Sequence, residues 1–492
     1  VPAPTLAKTT NGLHQRSATE LLQLYRSGAV SPVDVARDVI ARINDCEPVL
    51  HASWAFNPDE ALAMARASEL RWLAYRSGGA AVGALEGVPV TLKDNIATRG
   101  VPTPLGTAAT ELVPAPVDAP PAARLREAGA VFVSKTTMPD YGMLSSGLSS
   151  FHPLARNPWD TSKNPGGSSA GAGAAAAAGY GPLHLGTDIG GSIRLPASWC
   201  GVVGFKPSLG RVPIQPPYAG RCAGPMTRTV CDAALMMASL SRPDARDAMS
   251  LPWQSVDWAQ VVDSATDPDV AQTLVWQLRG LRVGLLMDAG WGSPLSDAVA
   301  TAVRAAAAAF ERAGAVVEPL APFCTRAMAD GMDRFWRMRS WLDFSALPAQ
   351  RQAKVLPYID DWVRGGANLS GADVFTGYSQ MAALRDAAVA ACAPFDVVIS
   401  PVSPDVTYAA ELASPLHDPQ RPFEHIAYTL AYNMSEQPAV SLNCAYTPAI
   451  DTGLPLPIGL QIIGKRHDDL GVLRVARAFE LIRGEQRPWP MD

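Results

Sequence analysis

The chain has 492 residues, of which 48% are hydrophobic and 18% charged, and its formal net charge is −5. That composition can bury a large core, and the absence of a basic run excludes nucleic acid as a direct partner held by charge. No stretch approaches the roughly 20 apolar residues of a membrane span, and no apolar segment follows Val1-Pro2-Ala3-Pro4 as a signal peptide requires.

Taken in chain order, Ser17-Ala18-Thr19-Glu20 forms a capping-box pattern ahead of an apolar-periodic helix. Ser31-Pro32-Val33-Asp34 starts a second helix with proline at its first position, and a third is predicted from Pro58 to about Ala74. From Val88 onward short apolar strands alternate with helical segments: Val88 to Leu92, Ala130 to Val133, Leu183 to Gly186, Val283 to Leu286, Val316 to Glu318, Val397 to Ser400 and Pro457 to Ile463. That rhythm predicts an α/β fold, an α/β/α sandwich whose central sheet is mixed, mostly parallel, twisted and covered by helices. Length alone suggests about three domains. The motifs described below run from residue 85 to residue 464, so a single catalytic domain over 1–492 is expected, with a mainly helical N-terminal wrap over 1–80 and an exposed excursion over 241–270.

Three polar residues stand where the local sequence gives them little reason to be. Lys93 ends the β-branched run Val88 to Leu92, so it is drawn toward the interior. Burial disfavours the ammonium and would make a neutral amine available as a base; the plain alternatives are snorkelling to solvent or pairing with Asp94. Ser168 lies in Pro165-Gly166-Gly167-Ser168-Ser169, ahead of the alanine-rich run Ala170 to Ala178, which should be helical. This loop admits a helix cap, a phosphate loop or a nucleophile elbow. No lysine follows the glycines, which weakens the phosphate loop. The G-x-S-x-G match would make Ser169 the nucleophile, but the approach to it is polar and broken by proline instead of being a strand. Ser192 follows Gly190-Gly191 at the end of a short apolar stretch, where paired glycines let several N–H groups converge beside its hydroxyl.

Gly167-Ser168-Ser169-Ala170 followed by Thr187-Asp188-Ile189-Gly190-Gly191-Ser192-Ile193-Arg194, with Ser192 lying 24 residues after Ser168 (192 − 168), resembles the amidase signature family. Gly87-Val88-Pro89-Val90 leading to Lys93-Asp94-Asn95, Gly204-Phe205-Lys206-Pro207, Gly224-Pro225-Met226-Thr227-Arg228 and Pro457-Ile458-Gly459-Leu460-Gln461 agree with it. The resemblance implies a Ser–cis-Ser–Lys hydrolase of C–N bonds. By position it makes Lys93 the base, Ser168 the relay after a cis Gly167–Ser168 bond, and Ser192 the nucleophile. The backbone N–H groups of Ile189, Gly190, Gly191 and Ser192 would form the oxyanion hole, and Asp188 and Arg194 would hold the loop together from behind. Ser169 either hydrogen-bonds near Lys93 or caps the helix. One departure is Ala170, which stands where many members carry a further glycine.

The reaction expected is hydrolysis of an amide-type bond in a neutral, apolar or aromatic small substrate. Carbamate or aryl ester hydrolysis is the alternative, and a glutaminase component of a transamidation complex a further one. Tyr141, Met143 and Leu144, in a loop apolar for its position, either line the substrate pocket or pack in the core; Trp336 and Trp341 are further pocket candidates. No arginine pair marks a carboxylate clamp. The seven histidines show no ligand spacing, so no metal and no cofactor is expected, and His184 reads as structural. Seven dispersed cysteines without a C-x-x-C pair read as free thiols of a reducing compartment, which makes the expected location cytoplasmic. The expected partner is a small-molecule substrate, with no nucleic acid and no membrane, and the expected state a monomer or homodimer.

Overall fold

Ser17 and Ser31 start the first two long helices in the manner their sequences predict. In the computed structural model, which describes residues 12–448 and 455–490, Ser17 Oγ accepts the Glu20 N–H at 3.2 Å while Glu20 Oε2 accepts the Ser17 N–H at 2.8 Å. Ser31 and Asp34 exchange the same pair of bonds at 3.1 Å each. Such caps satisfy N–H groups that the first turn of a helix leaves unpaired. The helices run over Ala18–Ser27 and Pro32–Leu50, and a third covers Pro58–Arg76. The Val1-Pro2-Ala3-Pro4 stretch lies outside the described residues.

Eleven strands form one sheet: β1 (Ser53–Trp54), β2 (Pro89–Lys93), β3 (Val131–Thr136), β4 (Leu183–Asp188), β5 (Val203–Lys206), β6 (Cys222–Thr227), β7 (Arg282–Leu285), β8 (Val316–Pro319), β9 (Val397–Pro401), β10 (Ala439–Tyr446) and β11 (Pro457–Ile463). Their spatial order is β1-β3-β2-β4-β6-β5-β10-β11-β9-β7-β8. The α/β class and the mixed sheet are as expected, but the sheet is not mostly parallel: six pairings are antiparallel and four parallel.

The difference has a local cause. Of the strands legible in the sequence, β2 pairs in parallel with β3 and β4, and β7 with β8 and β9, whereas β11, also legible, runs antiparallel to both its neighbours. The middle strands β5, β6 and β10 are those that the sequence disguises, and they run antiparallel. β6 carries Gly224 and Pro225, which argue against a central strand. Gly224 is nevertheless required there, because a Cβ at that position would lie 2.2 Å from the Phe205 carbonyl oxygen. The span 241–270 carries exposed residues such as Trp253 together with the buried Trp258 and Val261.

Two features of this sheet set up the site. β2 and β4 are parallel neighbours with Leu92 level with Leu185, so both chains leave the sheet at the same edge. Behind them packs the helix Ala170–Ala178, in which all nine residues are buried. Small side chains let that helix approach closely and bring its N-terminal serines to the ends of the strands.

Candidate active site

Lys93 is the last residue of β2, and its side chain is fully buried. Its Nζ donates to Ser168 Oγ at 2.7 Å, Ser169 Oγ at 3.0 Å and Thr187 Oγ1 at 3.0 Å. These three partners are hydroxyls, and no carboxylate stands beside the amine. Burial, and after it the positive charge of Arg221, hold the Lys93 pKa well below that of an ordinary lysine, against the opposing pull of Asp188 and Asp94. Asp94 is engaged elsewhere, accepting the Leu105 and Gly106 N–H groups and facing His152 Nε2 at 2.8 Å. Both plain alternatives for Lys93, snorkelling and pairing with Asp94, are absent.

Ser168 follows a cis Gly167–Ser168 peptide bond and is buried. Ser169 occupies the N-cap position of the next helix, yet its side chain caps nothing. Instead its Oγ accepts from Lys93 and donates to the Thr187 carbonyl at 3.1 Å. That resolves its two sequence readings in favour of the lysine. Gly186 of β4 leaves room for it, since a Cβ there would lie 3.0 Å from Ser169 Oγ.

After β4 the chain turns through Ile189, Gly190 and Gly191 to Ser192. Gly191 has φ 128°, and a Cβ on it would lie 2.6 Å from Thr429 Oγ1, so a larger residue is barred by conformation and by space. Thr429 Oγ1 donates to the Gly190 carbonyl at 2.6 Å, and the Ser169 N–H donates to the Ser192 carbonyl at 3.2 Å. The Asp188 carboxylate fastens the turn from within by accepting the Gly191 N–H at 2.8 Å and the Ile193 N–H at 3.0 Å. Arg194 grips the same carboxylate at 2.9 and 3.0 Å, and also reaches the Thr429 carbonyl, Asn433 and Gln461. Burial alone would raise the Asp188 pKa, but the Arg194 charge and hydrogen bonds, with Lys206 and the Ile193 N–H, outweigh it and hold the group well below the usual carboxylate range. Of the four N–H groups expected to face an oxyanion, that of Gly191 is therefore taken by Asp188. Those of Ile189, Gly190 and Ser192 have no acceptor among the described residues.

Ser168 and Ser192 open on one cavity of about 260 Å³. Tyr141, Met143, Leu144 and Trp336 line it beside Ile359, Phe423 and Ile426. The sequence profile of the Amidase family matches residues 34–473. The chain belongs to the amidase signature family. This amidase is 34% identical to a glutamyl-tRNA(Gln) amidotransferase subunit from Myxococcus xanthus, over 94% of this chain and 96% of that one. Among solved structures it is similar to a bacterial aryl acylamidase, at TM-score 0.83 and 28% identity over 96% of each chain. It is also similar to 6-aminohexanoate cyclic dimer hydrolase, at TM-score 0.80 and 25% identity over 98% of this chain and 99% of that one.

Trp341 is not among the cavity residues of the amidase. The helix Arg326–Ser345 turns Trp336, Arg339, Ser340 and Asp343 toward the cavity, and at 3.6 residues per turn position 341 lies on another face. Trp341 packs on Phe344, itself a cavity residue, with ring centroids 6.1 Å apart. Sequence reasoning also missed Arg221, Arg339 and Asp343, which line the cavity, and Thr429 and Asn433, which fasten the turn. Of the residues that reach Arg194, Asp188 and Gln461 fall in stretches the sequence singled out, whereas Thr429 and Asn433 do not. His184 is buried, bonded to Thr91 at 2.8 Å and to the Gly181 carbonyl at 3.0 Å, and burial lowers its pKa to about 3, so it is neutral and structural. No group of three or more metal-binding side chains occurs among the described residues, and none of their helices is long and apolar enough to cross a membrane.

Proposed function

We propose that this amidase hydrolyses the C–N bond of a small amide with an apolar or aromatic part, through an acyl-enzyme on Ser192. Neutral Lys93 takes the proton of Ser168, which takes that of Ser192 as Ser192 Oγ attacks the carbonyl carbon. The oxygen gains negative charge facing the N–H groups of Ile189, Gly190 and Ser192, where one donor is typically worth about 3 kcal/mol. The C–N bond then breaks, and the proton held by Lys93 returns through Ser168 to the leaving nitrogen. Water attacks the resulting ester, yields its proton by the same route, and releases the carboxylic acid and Ser192.

The observation that carries this reading is a fully buried lysine with no carboxylate beside it, 2.7 Å from Ser168. Lys135 and Lys206 are also buried without an acid, but their amines are held by the backbone carbonyls of Ile96, Pro207 and Gln437, whereas every partner of Lys93 is a side-chain hydroxyl. Support for the substrate class comes from Trp336, Ile359, Phe423 and Ile426, which make much of the cavity apolar. The aryl acylamidase and the 6-aminohexanoate cyclic dimer hydrolase, each similar over nearly the whole chain, add to it. We read the protein as a cytoplasmic monomer or homodimer.

A second reading, one component of an amidotransferase complex that hydrolyses glutamine, is favoured by the name of the Myxococcus relative. A panel of aryl amides, aliphatic amides, glutamine, aryl esters and carbamates, run on wild type and Ser192→Ala, separates the two. Aryl amides are expected to turn over fastest, with activity lost in Ser192→Ala. Preferred turnover of glutamine would replace the first reading by the second, and a preference for carbamates or esters would change the bond while leaving the machinery.

A further inference from the structure

We propose that Arg221 and Arg339 form an anion subsite in the catalytic cavity, and that the preferred substrates are amides carrying a carboxylate held by these two guanidiniums. The proposal rests on the amidase reading of Ser192 and narrows its substrate. Both arginines line the cavity that Ser168 and Ser192 share, although they reach it from positions 118 residues apart (339 − 221). Arg221 spends one Nη1 bond on the Pro216 carbonyl at 2.8 Å. Arg339 lies with its Cζ 4.2 Å from the Tyr218 ring centre.

Neither guanidinium is in an ion pair among the described residues, which sets them apart from Arg194 and Arg211, each of which holds an aspartate at 2.9 Å. Both are half-buried, and charges withdrawn from water are ordinarily paired. Two carboxylates lie in the neighbourhood and neither does that work. Asp247, which attracts Arg221, accepts the Ile214 N–H at 2.9 Å and the Met249 N–H at 2.7 Å. Asp343, one turn after Arg339, also lines the cavity but is exposed and bonded to neither arginine. Burial and the like charge of Arg339 bring the Arg221 pKa down to about 10, so it stays charged at neutral pH while lacking a counter-ion. Of the charged residues in the lining, Asp188 is already held by Arg194, and Asp343 set against the two arginines leaves one positive charge, which suits a monoanion. Guanidinium forks bind a carboxylate through paired, charge-assisted hydrogen bonds.

The subsite is coupled to the base. After burial, the Arg221 charge is the largest influence lowering the Lys93 pKa; Asp188 and Asp94 act against it, and Ser168, Ser169 and Thr187 contribute neutral hydroxyls. A carboxylate on Arg221 offsets that charge, so Lys93 should take a proton at higher pH in the substrate complex than in the free enzyme. The acid limb of kcat, which reports the complex, should then lie above that of kcat/KM for an anionic amide and coincide with it more closely for a neutral one.

The test uses the full chain and two matched pairs of anilides. Acetanilide against 4-acetamidobenzoate puts the carboxylate on the amine side, and N-phenylbutanamide against N-phenylsuccinamate puts it on the acyl side. Wild type is expected to favour the anionic member of at least one pair by about tenfold or more in kcat/KM. Arg221→Met and Arg339→Met should each lose most of that preference, and Arg221→Lys should keep part of it. Calorimetric binding of the same compounds to Ser192→Ala gives a readout independent of turnover and of how the arginine variants fold. Anions that bind the Ser192→Ala protein no tighter than their neutral partners overturn the proposal, as does a preference that survives both methionine substitutions. Tight anion binding without turnover by wild type would keep the subsite and remove the amidase reading; turnover without anion preference would do the reverse.

Discussion

The proposed mechanism needs Lys93 as a neutral amine, and its surroundings lower its pKa in favour of that form. Burial contributes most, Arg221 next, and the hydroxyls of Ser168, Ser169 and Thr187 surround the amine at 2.7, 3.0 and 3.0 Å without supplying a negative charge. The sign of the pH dependence follows. As pH falls through the lowered pKa the amine gains a proton and can no longer accept one from Ser168, so kcat/KM should rise with pH along an acid limb to a plateau. Lys93→Ala should cost about 10²–10⁴-fold, the usual worth of a general base, and should abolish that limb; a wild-type rate flat down to low pH would show that no neutral lysine is needed. Lys93, Ser168 and Ser192 were legible in the sequence because each sits in a short segment whose other residues make it conspicuous. Arg221, Arg339 and Asp343 were not, since each is an ordinary polar residue locally and gains meaning only when folding brings its segment to the cavity.

β4 and the turn after it form a unit tied down by one buried ion pair. Asp188 accepts from Gly191, Ile193 and Asn433 as well as Arg194, so the carboxylate fixes the turn and the helix Arg194–Cys200 together. Removing its charge leaves Arg194 buried and uncompensated. Asp188→Asn should therefore cost about 3–5 kcal/mol, seen as a lower Tm by calorimetry or circular dichroism, and should lower activity because the N–H groups around Ser192 lose their mooring. An unchanged Tm would mean that Thr429, Asn433 and Gln461 suffice for Arg194. The strands that carry this unit were read correctly where they are apolar, as in β4, or apolar and β-branched, as in β2. The middle of the sheet was not, because β6 contains Pro225 and a Gly224 that lets it approach β5 closely, and β10 alternates Ser441 and Asn443 with apolar residues although its first part is buried on both faces. The sheet thus looked more parallel from the sequence than it is.

At the scale of the whole molecule, Lys93 from β2, Ser168 from the loop before a helix and Ser192 from the turn after β4 meet because two parallel strands end side by side and an alanine-rich helix packs behind them. Three serines stand within this assembly, each with different work. In the proposed mechanism Ser192 attacks and Ser168 relays, while Ser169 bonds to Lys93 and donates to the Thr187 carbonyl. Ser192 follows directly on Ile189, Gly190 and Gly191, in the turn whose Ile189 and Gly190 N–H groups have no acceptor among the described residues. The most direct measurement is reaction of the full-length protein with a fluorophosphonate, followed by mass mapping of the labelled peptide. The result expected is a single adduct on Ser192, absent in Ser192→Ala; an adduct on Ser168 or Ser169 would contradict this division of roles.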